Sequence, residues 1–380
     1  MQIDECENCH QTGRLETIQD INPSLTFCIT SDGERLSGDR FQRVLCEYCG
    51  CLFCTYTPDN AVSAHYLTKY DLSEATQNNF IIHNDNLVRK KNELEQFLVD
   101  HLEAQSITPS NILEIACGNG ELLESIGARY KNAFLTGIDP NLEAKLAVGR
   151  TNYIRQFFKP ELVSGNFYDL VIAHSFLNRS STLPELKNIR KLMIAGGILS
   201  VEVMLLEDSF HAIKTWDHSH WFTGCTFENW LHVAGFEIID SVNNNTTKHY
   251  ICRAEERDLY NIDGLNPDLN NTRAYIERYE GFWESIDRTE FLGKYKYLFG
   301  AGMYSSILLN DLNLLSEFEF IIDELKTGTH HGIPIVSLEI AAKNPGNTLI
   351  FTRNSFVDVI SRKLRSYNIR HEIYTLPDLP

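Results

Sequence analysis

The sequence contains no long hydrophobic run and relatively few basic residues. No apolar stretch approaches the roughly 18 uninterrupted apolar residues of a transmembrane helix, so we expect no membrane span. The first residues carry neither a basic region nor an apolar core, so we expect no signal peptide and predict a cytoplasmic location. Lys and Arg total 34 against 51 Asp and Glu, and the formal net charge of −17 disfavours nucleic acid and anionic membranes as partners.

The chain otherwise has the composition of a globular protein. Its 380 residues suffice for two or three domains, and 43% of them are hydrophobic, which excludes a largely disordered chain. Strand-like and helix-like segments alternate over 112–242, after a helix predicted for 85–104, and again over 296–364. Such alternation predicts two α/β units with parallel sheets, joined by a polar linker over 243–270. The predicted domains are residues 1–64, residues 65–250 with a helical lead-in over 65–108, and residues 251–380.

Cysteine is concentrated near the start of the chain, where seven of the ten cysteines lie before residue 55. In a chain predicted to be cytoplasmic, this crowding favours a metal over disulfides. Cys6-x-x-Cys9 and Cys46-x-x-Cys49 are the best matched pairs, and four thiolates hold Zn²⁺ tetrahedrally with no open position. We therefore predict a structural zinc in residues 1–64, which have too few apolar residues for a core of their own. The competing ligands are Cys28, Cys51, Cys54 and His10, and buried thiols without a metal are the remaining alternative.

A glycine turn follows the first predicted strand of the central unit, where residues 113–120 read Leu-Glu-Ile-Ala-Cys-Gly-Asn-Gly. Glycines there let the backbone approach a ligand, and the start of the next helix offers unpaired N–H groups. Asp139 ends the next predicted strand, where a carboxylate can accept both hydroxyls of a ribose. Alone, the turn also fits an ordinary strand-to-helix connection. A nicotinamide-binding domain is the rival interpretation, but it would favour a third glycine where Leu123 stands.

Four segments together resemble the class I methyltransferases that use S-adenosylmethionine (SAM). They are Glu-Ile-Ala-Cys-Gly-Asn-Gly (114–120), Gly-Ile-Asp-Pro (137–140), Tyr-Asp-Leu-Val-Ile-Ala-His (168–174) and Gly-Gly-Ile-Leu (196–199). In that family the glycine turn faces the methionine part of SAM, and the acidic residue holds the ribose. The resemblance implies a Rossmann-like domain whose cofactor-binding residues are Glu114, Ala116, Gly118, Gly120, Asp139, Pro140 and His174.

The order of the three regions is similar to that of the sugar C-methyltransferases, which act on nucleotide-linked ketodeoxysugars. The C-terminal region carries this resemblance in Phe-Gly-Ala-Gly (299–302), Ile-Ile-Asp-Glu (321–324), Lys-Thr-Gly-Thr (326–329) and Gly-Ile-Pro-Ile-Val (332–336). The resemblance implies a nucleotide sugar as the small-molecule substrate and a Rossmann-like α/β accessory domain that helps to enclose it. The alternative for 300–302 is a purely structural turn.

That family carries a Glu-His dipeptide with an aromatic residue three positions after the histidine. Asp217, His218 and Trp221 occupy the matching positions here. A histidine of near-neutral pKa suits the removal of a proton from a carbon next to a ketone, and the resulting enolate attacks the methyl group. The resemblance therefore implies His218 as the base and Asp217 as its partner. His220 is the alternative base, and both histidines could instead be substrate-contacting or surface residues.

The family also uses tyrosines between the zinc module and the SAM domain, and Tyr66 and Tyr70 match them. They lie four residues apart, on one face if this segment is helical, and could instead pack a domain interface. The predicted function is SAM-dependent C-methylation of a nucleotide-linked ketodeoxysugar. The alternatives are O- or N-methylation of a natural product or other small metabolite, and a SAM-binding scaffold without catalysis.

Overall fold

The computed structural model describes residues 4–21, 41–55, 80–83, 86–142, 150–163, 167–208, 218–244, 247–256 and 267–376. These residues form a four-, a seven- and a six-stranded sheet and one two-stranded hairpin. The mixed α/β class predicted from the alternating segments is confirmed. Among the described helices, none combines the length and the apolarity needed to cross a membrane.

The N-terminal sheet is antiparallel and combines two distant parts of the chain. Its strands, in spatial order, are β1 (Leu15–Ile21), β2 (Phe41–Cys46), β3 (Leu52–Cys54) and β11 (His220–Trp221). The first two strands form a hairpin between the two cysteine pairs, whereas the last strand comes from the central unit. The N-terminal module therefore does not complete its sheet from its own residues.

The central sheet has seven strands. One of them is antiparallel to its neighbours and lies second from one edge of the sheet. In chain order the strands are β6 (Asn111–Ile115), β7 (Phe134–Ile138), β8 (Thr151–Ile154), β9 (Tyr168–His174), β10 (Met193–Val203), β12 (Phe236–Asn243) and β13 (Lys248–Ala254). Their spatial order is β12-β13-β10-β9-β6-β7-β8. The five strands from β10 to β8 are parallel, and β13 is antiparallel to both of its neighbours.

Helices cover both faces of the central sheet, because alternate residues of its parallel strands enter two different buried clusters. The helices are α1 (Lys90–Ala104), α2 (Glu121–Arg129), α3 (Thr182–Leu192) and α4 (Gly224–Val233), with 3₁₀ turns at Pro160–Val163 and Leu177–Arg179. The helix predicted for 85–104 begins only at Lys90. The preceding strand β5 (Asn86–Arg89) pairs instead with β4 (Phe80–His83).

The linker predicted for 243–270 is wrong for Lys248–Ala254, which forms β13. Tyr250, Ile251 and Cys252 are fully buried there, because β10 and β12 flank the strand on its two sides. The domain boundary predicted at residue 250 falls inside this strand.

The C-terminal sheet has six strands and is parallel except at one edge, where β16 pairs antiparallel with β17. Its strands are β14 (Tyr297–Phe299), β15 (Phe320–Ile322), β16 (Thr329–His330), β17 (Ile333–Val336), β18 (Thr348–Arg353) and β19 (His371–Leu376), in the spatial order β16-β17-β15-β14-β18-β19. Its helices are α5 (Leu269–Ser285), α6 (Met303–Asp311), α7 (Leu338–Lys343) and α8 (Asn354–Ser366), with a 3₁₀ turn at Arg288–Glu290. The Rossmann-like character predicted for this region is confirmed.

The N-terminal module shares the hydrophobic cores of its neighbours. Phe53 of β3 packs in the cluster that contains the central strands, whereas Leu52 and Cys54 pack in the cluster that contains α5 and the C-terminal sheet. Successive side chains of a strand point to opposite sides, so one short strand contributes to two cores. The N-terminal module thereby gains apolar contacts that its own few apolar residues could not provide.

Candidate functional site

The glycine turn connects β6 to α2 at the carboxyl edge of the central sheet. Ala116, Gly118 and Gly120 have positive φ angles of 57°, 55° and 75°. A Cβ atom on Gly120 would lie 2.5 Å from the hydroxyl oxygen of Tyr153, so glycine is needed there for both conformation and space. The sheet order places β6 between β7 and β9, and the chain reverses its direction of winding at this point. Open α/β sheets bind ligands outside the carboxyl ends of strands at such a switch point.

Asp139 directly follows β7 and ties the next strand to the glycine turn. Its carboxylate accepts hydrogen bonds from the backbone N–H groups of Gly118 at 2.9 Å and Asn141 at 2.7 Å. Burial raises the pKa of Asp139, although these two N–H groups oppose the rise. Each carboxylate oxygen keeps acceptor capacity beyond one N–H, so the group that aligns the turn could also receive two hydroxyl donors. Pro140 comes next and is half-buried.

Glu114 on β6 is buried, and its Oε2 atom has no hydrogen-bond partner within the protein. Burial raises the pKa of Glu114 to about 8, while the backbone N–H of Leu123 and the charge of Lys91 oppose the rise. Buried polar atoms are almost always hydrogen-bonded, so an orphaned carboxyl oxygen beside the glycine turn is a functional candidate. A cationic or hydrogen-bonding group of a cofactor would satisfy it.

His174 ends β9, but its imidazole contacts the neighbouring strands. Its Nε2 atom lies 2.8 Å from the hydroxyl of Ser200 on β10, which in turn lies 2.8 Å from Nε2 of His249 on β13. Burial lowers the pKa of His174 to about 4 and that of His249 well below its usual value. Both rings are therefore neutral at neutral pH. His174 therefore lies at the carboxyl end of β9, as predicted, and its imidazole is hydrogen-bonded to the neighbouring strand β10.

A buried ion pair lies beside these histidines and was missed by sequence reasoning. Lys90, the first residue of α1, contacts the carboxylate of Glu202 on β10. Burial raises the pKa of Glu202, but the charge and hydrogen bond of Lys90 outweigh it and lower the pKa to about 2. Glu202 also accepts from the backbone N–H and hydroxyl of Ser175, whose φ of 53° is strained for a serine. The signal in the sequence was a single charge within the apolar stretch 193–206.

His218 is 3% exposed and lies two residues before β11. The carbonyl of His220 accepts a hydrogen bond from Nδ2 of Asn178, which lies in the turn after β9, at 3.1 Å. This contact holds β11 at the carboxyl edge of the central sheet. The other candidate base, His220, has its Nδ1 atom 2.8 Å from the hydroxyl of Ser219, and burial lowers its pKa to about 3. Such an imidazole is a weak base.

Three of the predicted catalytic residues and one competing cysteine fall outside the described part of the chain. They are Tyr66, Tyr70, Asp217 and Cys28.

The two best matched cysteine pairs come together in the N-terminal module. The sulfur atoms of Cys6, Cys9, Cys46 and Cys49 all lie within 4.8 Å of one another, and all four residues are buried. Within this group, the sulfur of Cys6 lies 3.8 Å from that of Cys49, and the sulfur of Cys9 lies 3.7 Å from that of Cys46. Four sulfurs bound at about 2.3 Å to a tetrahedral zinc would lie roughly 3.8 Å apart. The donor set therefore fits Zn²⁺.

The competing ligands within the described residues lie outside this four-sulfur group. His10 contacts the carboxylate of Glu5 at 2.8 Å. The thiol of Cys51 donates to the carbonyl of Leu52 at 3.7 Å, and Cys54 packs in the cluster that contains α5. The spacing of the cysteines thus selected the four residues that the fold brings together.

Residues 88–241 match a family model described as a methyltransferase domain. The matched range contains the glycine turn, Asp139 and β11, and it covers fewer than half of the residues of the chain. The central sheet has the Rossmann-like order expected for class I enzymes. This part of the chain is therefore similar to methyltransferase domains.

Similar solved structures include three methyltransferases. The Burkholderia thailandensis 1,6-didemethyltoxoflavin-N1-methyltransferase is 14% identical, with 44% of this chain and 78% of that chain covered and a TM-score of 0.36. The plantazolicin methyltransferase BpumL, in complex with a pentazolic desmethylPZN analog and S-adenosylhomocysteine (SAH), is 16% identical, with 51% and 95% covered and a TM-score of 0.39. Human N-acetylserotonin methyltransferase, in complex with SAM, is 15% identical, with 44% and 57% covered and a TM-score of 0.33. None of the curated proteins matches this chain.

Proposed function

We propose that this chain methylates a carbon atom next to a ketone in a nucleotide-linked sugar, with SAM as the methyl donor. The observation that carries the proposal is the position of buried His218, just before a strand that Asn178 holds at the carboxyl edge of the central sheet. That edge also holds the glycine turn and Asp139. A base and a methyl donor would therefore share one crevice.

The proposed reaction needs a base because a carbon acid must first be deprotonated. His218 takes the proton from the carbon next to the ketone, and the electron pair of the C–H bond forms the enolate. The enolate carbon then attacks the methyl group of SAM, the S–CH₃ bond breaks, and its electron pair stays on sulfur to give SAH. By resemblance, Asp217 orients the imidazole, and Tyr66 and Tyr70 donate to the enolate oxygen.

The SAM site is proposed at the glycine turn. Asp139 would accept the ribose hydroxyls, with Pro140 beside it, and the backbone at Ala116, Gly118 and Gly120 would face the methionine part. The orphaned oxygen of Glu114 supports this placement, because the ammonium group of SAM would satisfy it. His174 would line the same pocket from the end of β9.

The nucleotide part of the substrate is proposed to lie at the C-terminal sheet. The turn 300–302 follows β14, which lies between β15 and β18. The winding of the C-terminal sheet reverses there, so this sheet has a switch point of its own. Gly300 has a φ of 89°, and no atom lies within 4 Å of a Cβ placed on Gly300 or Gly302. This open turn leads into α6, whose N-terminal end would attract a phosphate, and the ammonium of Lys326 contacts the turn at Ala301.

The four-cysteine group is proposed to bind a structural Zn²⁺. Four thiolates leave no coordination position for substrate, so Cys6, Cys9, Cys46 and Cys49 would supply fold stability and no step of the reaction. No disulfide joins the described cysteines, which fits a reducing compartment such as the cytoplasm.

The test is methyl transfer from SAM to a panel of nucleotide-linked ketosugars, with the new methyl group located by NMR. We expect a C-methyl product, and we expect His218→Ala to lower kcat by at least about 100-fold with unchanged SAH affinity. Transfer to oxygen or nitrogen that survives His218→Ala would instead support an O- or N-methyltransferase. SAH binding without transfer to any panel member would leave a SAM-binding scaffold.

A further inference from the structure

We propose that β3 of the N-terminal module, which contains the four-cysteine group and is called the cysteine module below, acts together with Asn178 to position β11. This strand follows His218, the proposed base. This inference rests on the proposed function, because it takes the role of His218 from there and assigns what controls it. The observation behind it is that β11 has two residues and belongs to a sheet whose other strands come from the N-terminal module. A strand this short depends on its partners for its conformation.

β3 holds β11 from the side of the N-terminal sheet. Phe53 pairs with His220 and Leu52 with Trp221, and the N–H of Cys54 donates to the carbonyl of Ser219 at 3.0 Å. The ring of Phe53 also stacks on the imidazole of His220, with ring centroids 6.2 Å apart. The backbone directly after His218 is therefore fixed by residues that belong to the cysteine module.

Asn178 holds β11 from the side of the central sheet. Its buried carboxamide donates to the carbonyls of His220 at 3.1 Å and Met204 at 3.0 Å, and it accepts from the N–H of Met204 at 2.9 Å. One side chain thus joins the turn after β9, the end of β10 and β11. A carboxamide supplies the acceptor and the two donors that this position needs.

The cysteine module is itself attached to the central unit at its metal-binding loops. The indole N–H of Trp230 on α4 donates to the carbonyl of Cys49 at 3.2 Å. The side chain of Asn8 accepts from the N–H of Leu183 on α3 at 2.7 Å and contacts the sulfur of Cys49 at 3.7 Å. Since β3 begins shortly after Cys49, whatever fixes the four sulfurs also fixes the start of β3.

None of these contacts involves the glycine turn or Asp139. Loss of metal from the cysteine group is therefore expected to release β11 while the SAM site keeps its structure. That separation distinguishes a positioning role from a general contribution to stability.

Hydrogen exchange of the full chain tests this directly, before and after zinc is removed with a chelator. We expect faster exchange in peptides that span 218–223, unchanged exchange in peptides that span 111–120, and an SAH affinity that changes by less than about twofold. Unchanged exchange over 218–223 would overturn the proposal. Equal loss of protection over 111–120 would also overturn it, because the module would then stabilise the whole domain. No substrate is needed, so the result is independent of the proposed methylation.

Asn178→Ala tests the second contact, with Asn188→Ala as the matched control. Asn188 lies on α3 and its amide contacts Glu185 at 3.3 Å, away from β11. We expect Asn178→Ala to speed exchange over 218–223 and to lower kcat about tenfold with an unchanged KM for SAM, because a base displaced slightly loses its alignment. The control should change neither. Wild-type exchange and kcat in Asn178→Ala would remove this residue from the proposal, and the chelation experiment stands if the variant does not fold.

Discussion

The central and C-terminal sheets contain the same local arrangement. In each, a glycine turn follows a strand at a switch point, and the aspartate after a neighbouring strand accepts a hydrogen bond from the turn. The N–H of Gly118 donates to Asp139 at 2.9 Å, and the N–H of Ala301 donates to Asp323 at 2.8 Å. Both aspartates also accept from backbone N–H groups that follow them. This arrangement joins turn and strand in a parallel sheet, and alone it does not identify a ligand.

The two turns differ in the polar groups around them. The carbonyls of the C-terminal turn accept hydrogen bonds from the side chains of Ser305, Lys326 and Ser306. The central turn has Glu114 beside it, buried, with one orphaned oxygen and a raised pKa. The difference teaches that an unsatisfied buried carboxyl, more than the shape of the turn, marks a site prepared for a cationic ligand.

Substitution of each aspartate in turn by alanine should give the largest difference between the two turns, measured as the affinity for SAH. Asp139→Ala is expected to weaken SAH binding by about 100-fold or more, because two hydrogen bonds to a charged acceptor and the alignment of Gly118 are lost. Asp323→Ala should leave SAH affinity within about twofold. Calorimetric titration of both variants measures this. Equal losses would contradict the placement of SAM at the central turn.

The pH dependence of SAH binding should sharpen the comparison through Glu114. Its pKa of about 8 means that the carboxyl is protonated in the free protein at neutral pH. An ammonium group bound beside it favours the ionised form, so binding releases a proton and affinity rises with pH up to about 8. The expected slope is at most about tenfold per pH unit. Titrations at pH 6, 7 and 8 measure it. A slope that persists in Glu114→Gln would assign the proton to another group.

Alanine at one positive-φ glycine of each turn should give the smallest contrast, measured as the thermal midpoint of unfolding. Gly120→Ala and Gly300→Ala both force a left-handed alanine, which costs about 1 kcal/mol. Only Gly120→Ala adds a clash, with the hydroxyl of Tyr153, so it should lower the thermal midpoint more. Gly302→Ala is the control, since its φ of −119° suits any residue and the space around it is open. Equal shifts for Gly120→Ala and Gly300→Ala would show that Tyr153 moves aside without cost.

The central strands and the glycine turn were predictable because their signals are local. Predominantly apolar segments such as 112–115 and 169–173 and the glycines at 118 and 120 can be recognised within a few positions of the sequence. The four-sulfur group was predictable because two pairs with matched spacing predict one tetrahedral centre.

The features that could not be predicted depend on contacts between residues far apart in sequence. β13 lies among Asn-rich and acidic segments, and its burial comes from β10 and β12. β11 is a strand only because β3 pairs with it, and no two-residue pattern predicts that. The ion pair between Lys90 and Glu202 and the three hydrogen bonds of Asn178 likewise could not be predicted, because they join residues that only the fold brings together.

The shared sheet also sets an order of events during synthesis. β1, β2 and β3 leave the ribosome early, yet the edge of β3 gains its partner only after His220 and Trp221 have been made. Until then that edge exposes unpaired backbone groups, and Leu52 and Cys54 lack the apolar cover of the C-terminal region. We therefore expect the N-terminal module to reach its final packing only after both later regions of the chain have been made.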